Sequence, residues 1–240
     1  MNVPSCSVVL IPGFMLDETL WDEFSQHLPE NWRLVHAPLT GGTTIPEIAR
    51  QIATISPDRF VLIGFSLGGY IARQLAADFP DQVMALVLIA SSLREDTDQQ
   101  AKVKAQAVQA SSETSFRGLS NTAIATSLHP SRSSDKAVIS RIKTMGQRLG
   151  YEALALQSSF SRAGVPTDLI RCPTLVVASS GDAMRTLEEA DELVEAIPGA
   201  LLQLINDSGH MIPLEQPRKL AQLILAWVMQ VLQTTEKHDH

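Results

Sequence analysis

Three polar residues whose types could share one reaction, Ser66, Asp182 and His210, each follow a short apolar run. A serine hydroxyl is a weak nucleophile near neutral pH and needs a base within hydrogen-bond reach. A neutral imidazole can take that proton, and a carboxylate can hold the ring in one tautomer and stabilise the cation that forms. The three residue types therefore indicate nucleophilic catalysis by Ser66, with His210 as base and Asp182 as the orienting acid.

Ser66 lies at the centre of GFSLG, residues 64–68, between an apolar run at residues 60–63 and an amphipathic stretch that begins at Leu67. Small residues on both sides of a serine permit a sharp turn in which the serine takes strained backbone angles. Composition alone produces this pattern in about one chain of this length in ten, so the prediction depends on the flanking strand and helix. We expect Ser66 to project above the sheet.

Each of these residues also has a purely structural interpretation. Ser66 could be an ordinary turn serine. His210 could be a packing histidine, although among the six histidines it alone follows a predicted strand in a glycine-containing turn. Asp182 could cap the helix that begins near Thr186, in which case Asp207 is the next candidate acid.

Two backbone N–H groups are expected to stabilise the negative charge that develops in such a reaction. One belongs to Leu67, at the start of a helix, where amides are unpaired and the helix dipole favours negative charge. The other belongs to Phe14, in the turn that Pro12 and Gly13 begin after the first predicted strand. An ordinary turn is the alternative interpretation of Pro12 and Gly13.

Apolar strands and amphipathic helices alternate over most of the chain. Strands are predicted at residues 5–11, 33–37, 60–63, 83–89, 174–178 and 200–205, and helices at residues 44–55, 67–79, 187–197 and 217–233. Continuously apolar strands are typical of a parallel sheet buried on both faces. The sequence therefore predicts an α/β fold, with a mostly parallel sheet of about six strands and helices on both faces. Ser66, Asp182 and His210 all fall at the carboxyl ends of strands, where such sheets bind ligands.

No strand is predicted between residues 93 and 168, and we call this stretch the lid segment. Helices are predicted there from a capping box at Thr97 to residue 110, from Asp135 to a stop at Gly150, and over residues 151–163. So long an insertion predicts a helical lid on a core made of residues 1–92 and 169–240. Residues 93–170 contain ten Lys and Arg residues and seven Asp and Glu residues. This mildly basic balance could favour an acidic substrate. Candidate pocket residues are Met15, Leu128, Met145, Phe160 and Met211, with Leu119 and Leu149 of the lid segment as further candidates.

Bulk properties are those of an ordinary globular protein. Apolar residues make up 45% of the 240 residues, and the net charge of -7 argues against nucleic acid as the main partner. Cys6 and Cys172 have no metal-ligand spacing and are expected to be small buried hydrophobic residues. No targeting segment and no long apolar run are found, so a cytoplasmic location without stable membrane insertion is expected, and a frayed tail at residues 237–240.

At this level of detail the sequence resembles the α/β-hydrolase superfamily, and in particular its small, lidded, carboxylesterase-like branch. The matching stretches are LIPGF at residues 10–14, GFSLGGY at 64–70, CPTLVV at 172–177, GD at 181–182 and SGHMIPLEQP at 208–217. The resemblance implies an α/β-hydrolase fold, Ser66 as nucleophile, Asp182 as acid, His210 as base, and Phe14 and Leu67 as oxyanion donors. It also implies a small-molecule ester substrate and no cofactor or metal.

Two positions depart from the family pattern. Pro12 stands where many members carry a histidine before the glycine, and Leu39 follows Pro38 where an aspartate is common. Neither change removes a catalytic group. Ester hydrolysis is the leading hypothesis, carbon-carbon bond or lactone hydrolysis with the same residues is the alternative, and a non-catalytic ligand-binding protein is a third. The oligomeric state is not indicated by the sequence.

Overall fold

A computed structural model describes residues 4–236, and a single sheet of six parallel strands lies at the centre of this region. The strands are β1 (Ser7–Ile11), β2 (Arg33–His36), β3 (Phe60–Phe65), β4 (Val83–Ile89), β5 (Thr174–Ala178) and β6 (Leu201–Leu204). Their order across the sheet is β2-β1-β3-β4-β5-β6. The predicted six-stranded parallel sheet is confirmed, whereas the predicted fraying of residues 237–240 lies outside the described residues.

Helices connect the strands and cover the sheet. They are α1 (Asp22–Ser25), α2 (Ile45–Ile55), α3 (Leu67–Asp78), α4 (Asp98–Gln109), α5 (Asn121–Ser127), α6 (Lys136–Ser159), α7 (Leu187–Ala196), α8 (Ile212–Glu215) and α9 (Pro217–Glu236). Three of these, α1, α5 and α8, were not predicted, because each has at most seven residues and shows no sustained helical period. Among the described helices none combines the length and the apolar character that crossing a bilayer requires.

The two faces of the sheet form two hydrophobic clusters. Along β1, Val8 and Leu10 belong to one cluster, whereas Val9 and Ile11 belong to the other. Successive side chains of a strand point to opposite faces, so a strand that is apolar throughout must be covered on both sides. Residues of α1 and α9 cover the first face, and residues of α2, α3 and α7 cover the second.

The lid segment contains α4, α5 and α6 and lies between β4 and β5 in the chain. The predicted helix stop at Gly150 is an interruption within α6, because Gly150 has φ 80° and ψ −178° while the helix continues to Ser159. The inner side of α6 packs Ile142 and Met145 into the first hydrophobic cluster. The division into a core and a lid domain at residues 93 and 168 stays a prediction.

Candidate active site

Ser66 occupies a sharp turn between β3 and α3. Every residue of β3 is buried, and Ser66 turns the chain with φ 51° and ψ −112° before α3 begins at Leu67. Such angles cost a residue other than glycine about 1 to 3 kcal/mol, so the surrounding structure must hold them. A Cβ atom at Gly68 would lie 2.4 Å from the carbonyl oxygen of Pro12, so this position accepts only glycine. The turn therefore brings the serine against the end of β1.

A continuous chain of hydrogen bonds joins Ser66, His210 and Asp182. The Nε2 atom of His210 lies 2.9 Å from the Oγ atom of Ser66, and its Nδ1 atom lies 2.8 Å from an Oδ2 atom of Asp182. An ionised carboxylate only accepts hydrogen bonds, so Nδ1 carries the hydrogen and Nε2 is free to accept the serine proton. The ring of Phe65 packs against the imidazole with 5.2 Å between centroids.

The histidine turn after β6 is fixed by the lid segment and by a buried carboxylate. The backbone N–H of His210 donates to the carbonyl of Ser127 at 2.8 Å. Glu215, which is 6% exposed, accepts from the backbone N–H groups of Gly209 and His129, both at 2.8 Å. These bonds hold the backbone of Gly209 and His210, and the contacts of the two ring nitrogens with Asp182 and Ser66 set the direction of the imidazole.

The structure separates the two candidate acids. The side chain of Asp182 is 1% exposed, and its Oδ1 atom accepts from the backbone N–H groups of Met184 and Arg185 at 2.7 and 2.9 Å. The side chain of Asp207 is 79% exposed and forms an ion pair with Lys219 at 3.7 Å. Only Asp182 is therefore brought to the imidazole.

The turn after β1 and the start of α3 face the same place. The N–H of Leu67 is at the first helical position and has no acceptor within the helix. Within the described residues, no acceptor is found for the N–H of Phe14, which lies in a turn closed by a 3.2 Å hydrogen bond from Leu16 to Gly13. A Cβ atom at Gly13 would be 3.3 Å from the Cβ atom of Ser66, so this turn lies directly beside the serine.

The predicted pocket residues do not all share one environment. Leu128, Met145 and Met211 are buried in the first hydrophobic cluster. Met15 is buried in the turn after β1, residues 13–16, which we call the oxyanion turn because of the role predicted for Phe14. Phe160 instead belongs to the second cluster and lines a cavity of about 480 Å³ between α4 and the end of α6. The structure therefore does not bring Phe160 together with the first cluster.

Positive side chains of the lid segment lie beside the oxyanion turn. The Lys104 ammonium is 5.7 Å from the centroid of the Phe14 ring and pairs with Asp96, which also binds Arg162 at 2.8 Å. Burial lowers the pKa of Lys104, and the nearby Arg162 charge lowers it further. The local positive charge is therefore partly compensated by Asp96.

Other chemistry at the described residues is limited. Burial raises the pKa of the Cys6 thiol and of the Cys172 thiol to about 11, so both are mostly protonated near neutral pH and are poor nucleophiles. Among the side chains that the structure describes, residues 4–234, no group of three or more His, Cys, Asp or Glu could hold a metal ion.

Two functional contacts of the site were not predicted. Glu215 lies within the recognised stretch at residues 208–217, but no role was assigned to it. Gln157 accepts a hydrogen bond from the backbone N–H of Met15 although 142 residues separate them. The position of Glu215 five residues after His210 is a usable sequence signal, whereas Gln157 has none.

Sequence comparison finds enzymes among the relatives of this chain. It is 25% identical over 259 residues to the monoacylglycerol lipase ABHD6 of Bos taurus, an alignment that covers 95% of this chain and 77% of the relative. A stretch of 96 residues is 33% identical to the pimeloyl-[acyl-carrier protein] methyl ester esterase of Salmonella heidelberg and covers 37% of this chain and 38% of that protein.

Solved structures share the fold. A thermophilic esterase from Thermogutta terrifontis superposes with a TM-score of 0.81 at 24% identity, over 94% of this chain and 90% of that one. The enol-lactonase of Burkholderia xenovorans LB400 gives a TM-score of 0.79 at 17% identity, over 94% and 92%. The family model for the alpha/beta hydrolase fold matches residues 43–217. The resemblance noted in the sequence is confirmed: the chain belongs to the α/β-hydrolase family and is a hydrolase.

Proposed function

We propose that this chain hydrolyses small carboxylic esters through an acyl-serine intermediate. The observation that supports this most directly is the chain of hydrogen bonds from Asp182 through His210 to the hydroxyl of Ser66, with distances of 2.8 and 2.9 Å. Relatives described as a lipase and as a methyl ester esterase favour an ester over other acyl compounds.

In the first half of the proposed reaction, the Oγ atom of Ser66 attacks the ester carbonyl carbon while His210 takes the hydroxyl proton. The carbonyl oxygen becomes an oxyanion that accepts hydrogen bonds from the N–H groups of Phe14 and Leu67. The tetrahedral intermediate then collapses, and His210 gives its proton to the leaving alcohol. The Asp182 carboxylate stabilises the imidazolium during both steps and keeps its own charge.

In the second half, water attacks the carbonyl carbon of the acyl-serine and His210 takes a proton from that water. Collapse of the second tetrahedral intermediate breaks the bond to Ser66, whose oxygen recovers the proton from His210. The products are an alcohol and a carboxylic acid. No redox step occurs, so no electron carrier is required.

A variant of the nucleophile tests this proposal. We expect Ser66→Ala to lower kcat on short acyl esters by about 10³-fold or more, because within the described residues Ser66 has the one hydroxyl that is hydrogen-bonded to His210. A fluorophosphonate should label Ser66 alone in the wild-type protein, located by peptide mass spectrometry. Ser133→Ala is the matched control, since its exposed hydroxyl bonds to the carbonyl of Pro130.

The substrate class is determined by measuring kcat of the wild-type protein on three sets of compounds. These are p-nitrophenyl esters of graded acyl length, paired acidic and neutral esters, and lactones. A Ser66→Ala enzyme that keeps its activity, or a wild-type protein that fluorophosphonate does not label, would contradict the proposal. Turnover of lactones with no turnover of open esters would replace ester hydrolysis by the alternative reaction on the same residues.

A further inference from the structure

Gln157 is a buried polar residue on the last turns of α6, in the lid segment. It is 3% exposed, and its Oε1 atom accepts a 2.8 Å hydrogen bond from the backbone N–H of Met15. Met15 follows Phe14, whose N–H is one of the two oxyanion donors of the proposed reaction. Among residues 4–236, Gln157 contributes the only side-chain hydrogen bond to the backbone of residues 14–16.

The turn that contains Phe14 has a conformation that its sequence disfavours. The N–H of Leu16 donates to the carbonyl of Gly13, so Phe14 and Met15 are the two central residues of a β-turn. Met15 has φ 56°, and a positive φ at the second central position is typical of a type II turn. That position is usually glycine or asparagine, because other residues meet steric repulsion there. Methionine therefore needs help from its surroundings to stay in this conformation.

The peptide group between Phe14 and Met15 decides which turn type forms. In a type I turn this peptide is rotated and both central residues have negative φ, a conformation that a methionine prefers. The hydrogen bond to Gln157 exists only while the Met15 N–H points toward α6. Rotation of this peptide would break the bond between the Met15 N–H and Gln157, and a new bond to the Phe14 carbonyl would require the Gln157 amide to turn over and donate its Nε2 hydrogens.

We propose that Gln157 is a positioning residue that ties the oxyanion turn to α6 through the Met15 N–H and so fixes the place of the adjacent Phe14 N–H, which belongs to the preceding peptide group. This inference rests on the proposed ester hydrolysis. Gln157 acts through the backbone of Met15, whereas the hydroxyl of Ser66 is hydrogen-bonded to His210. Through this bond, the lid segment contributes to stabilising the transition state.

The test is Gln157→Leu, which keeps the volume and removes the acceptor. We expect kcat on a short ester to fall about tenfold or more, with KM changed by less than about twofold, because the lost stabilisation belongs to the transition state. A trifluoromethyl ketone adds to a serine as a hemiketal whose oxygen occupies the oxyanion position, so its Ki should rise by the same factor as kcat/KM falls. Gln157→Glu, which keeps an oxygen acceptor, should restore most of kcat.

Gln147→Leu is the matched control on the same helix, since the Gln147 side chain donates to the carbonyl of Arg117 at the surface. It should leave kcat and Ki unchanged, and thermal unfolding should show that both leucine variants are folded. Unchanged kcat and Ki in Gln157→Leu, with a wild-type enzyme that is active and labelled by fluorophosphonate, overturn this inference alone. A wild-type protein that is neither active nor labelled overturns the proposed function and this inference with it.

Discussion

Asp182 and Asp207 both lie at the carboxyl edge of the sheet, and the spacing of residues in the sequence allows either to be the acid. The side chain of Asp182 is 1% exposed, and its oxygens accept from two backbone N–H groups and from the ring of His210. The side chain of Asp207 is 79% exposed. A buried carboxylate whose acceptors are all used keeps a fixed direction, whereas an exposed one exchanges its partners with water.

This difference predicts unequal effects of the same substitution. Asp182→Asn should lower kcat by about 10⁴-fold, because an amide that donates to the imidazole favours the wrong tautomer. Asp207→Asn should change kcat by less than about twofold, because an exposed ion pair contributes little. Steady-state kinetics of both variants on one ester, with thermal unfolding as a check of folding, measures this. Equal losses of kcat in the two variants would show that the assignment of Asp182 as the acid is wrong.

At the residue scale, the sequence predicted the positions of those side chains that directly follow a strand of the sheet. Ser66, Asp182 and His210 could be assigned to one edge because the carboxyl ends of parallel strands converge there. Gln157 could not be assigned a role, since its contact is with a distant segment, whereas Glu215 lies five residues after His210 and its bond to Gly209 is local. The bond from Met15 to Gln157 joins residues that are 142 positions apart, and no local pattern records it.

At the element scale, α6 contains a break at Gly150, and the part of the helix after the break carries Gln157. The sequence predicted a helix that ends at Gly150 and another over residues 151–163, and the structure has an interruption at Gly150 with φ 80° and ψ −178°. After it the chain resumes a helical path that carries Gln157 to the oxyanion turn. The capping box at the start of α4 was predicted correctly, because its signal lies within four residues. The break at Gly150 was predicted as well, whereas the helix after it ends at Ser159 and not at residue 163.

The backbone of Gly150 predicts a cost for any side chain there. Its angles lie in a region that only glycine adopts readily, so Gly150→Ala should lower the free energy of unfolding by about 1 to 3 kcal/mol. A Cβ atom at this position meets no atom within 4 Å, so steric contact adds nothing to that cost. Gly146→Ala is the control, because Gly146 is helical and its added Cβ would meet only ordinary contacts at 3.6 Å. Urea unfolding of both variants measures the change in the free energy of unfolding. No change in Gly150→Ala would show that the helix does not need glycine at this interruption.

At the scale of the whole molecule, the lid segment is joined to the sheet at both loops of the candidate site. At the oxyanion side, Arg148 binds the buried carboxylate of Asp17 at 2.7 Å, and Gln157 binds Met15. At the histidine side, the carbonyl of Ser127 accepts from the backbone of His210. Strand and helix periodicity predicted the sheet and an insertion of helices. It could not predict these attachments, which depend on how the complete chain packs.

The lid helix α4 should have a lower local stability than α7, a helix that packs on the sheet. In α4 no residue is buried, and Val103 is 53% exposed. The matched comparison is α7, which has a similar length and also begins with a capping box, but which buries Ala190 and Leu193 against the sheet. Local opening becomes easier as buried contacts decrease, so amide hydrogens of α4 should exchange about tenfold or more faster than those of α7. Hydrogen exchange followed by mass spectrometry at one pH and temperature measures this directly. Equal protection of the two helices would mean that α4 is covered in solution, for example by a second copy of the chain, and would contradict the exposed surface described for it.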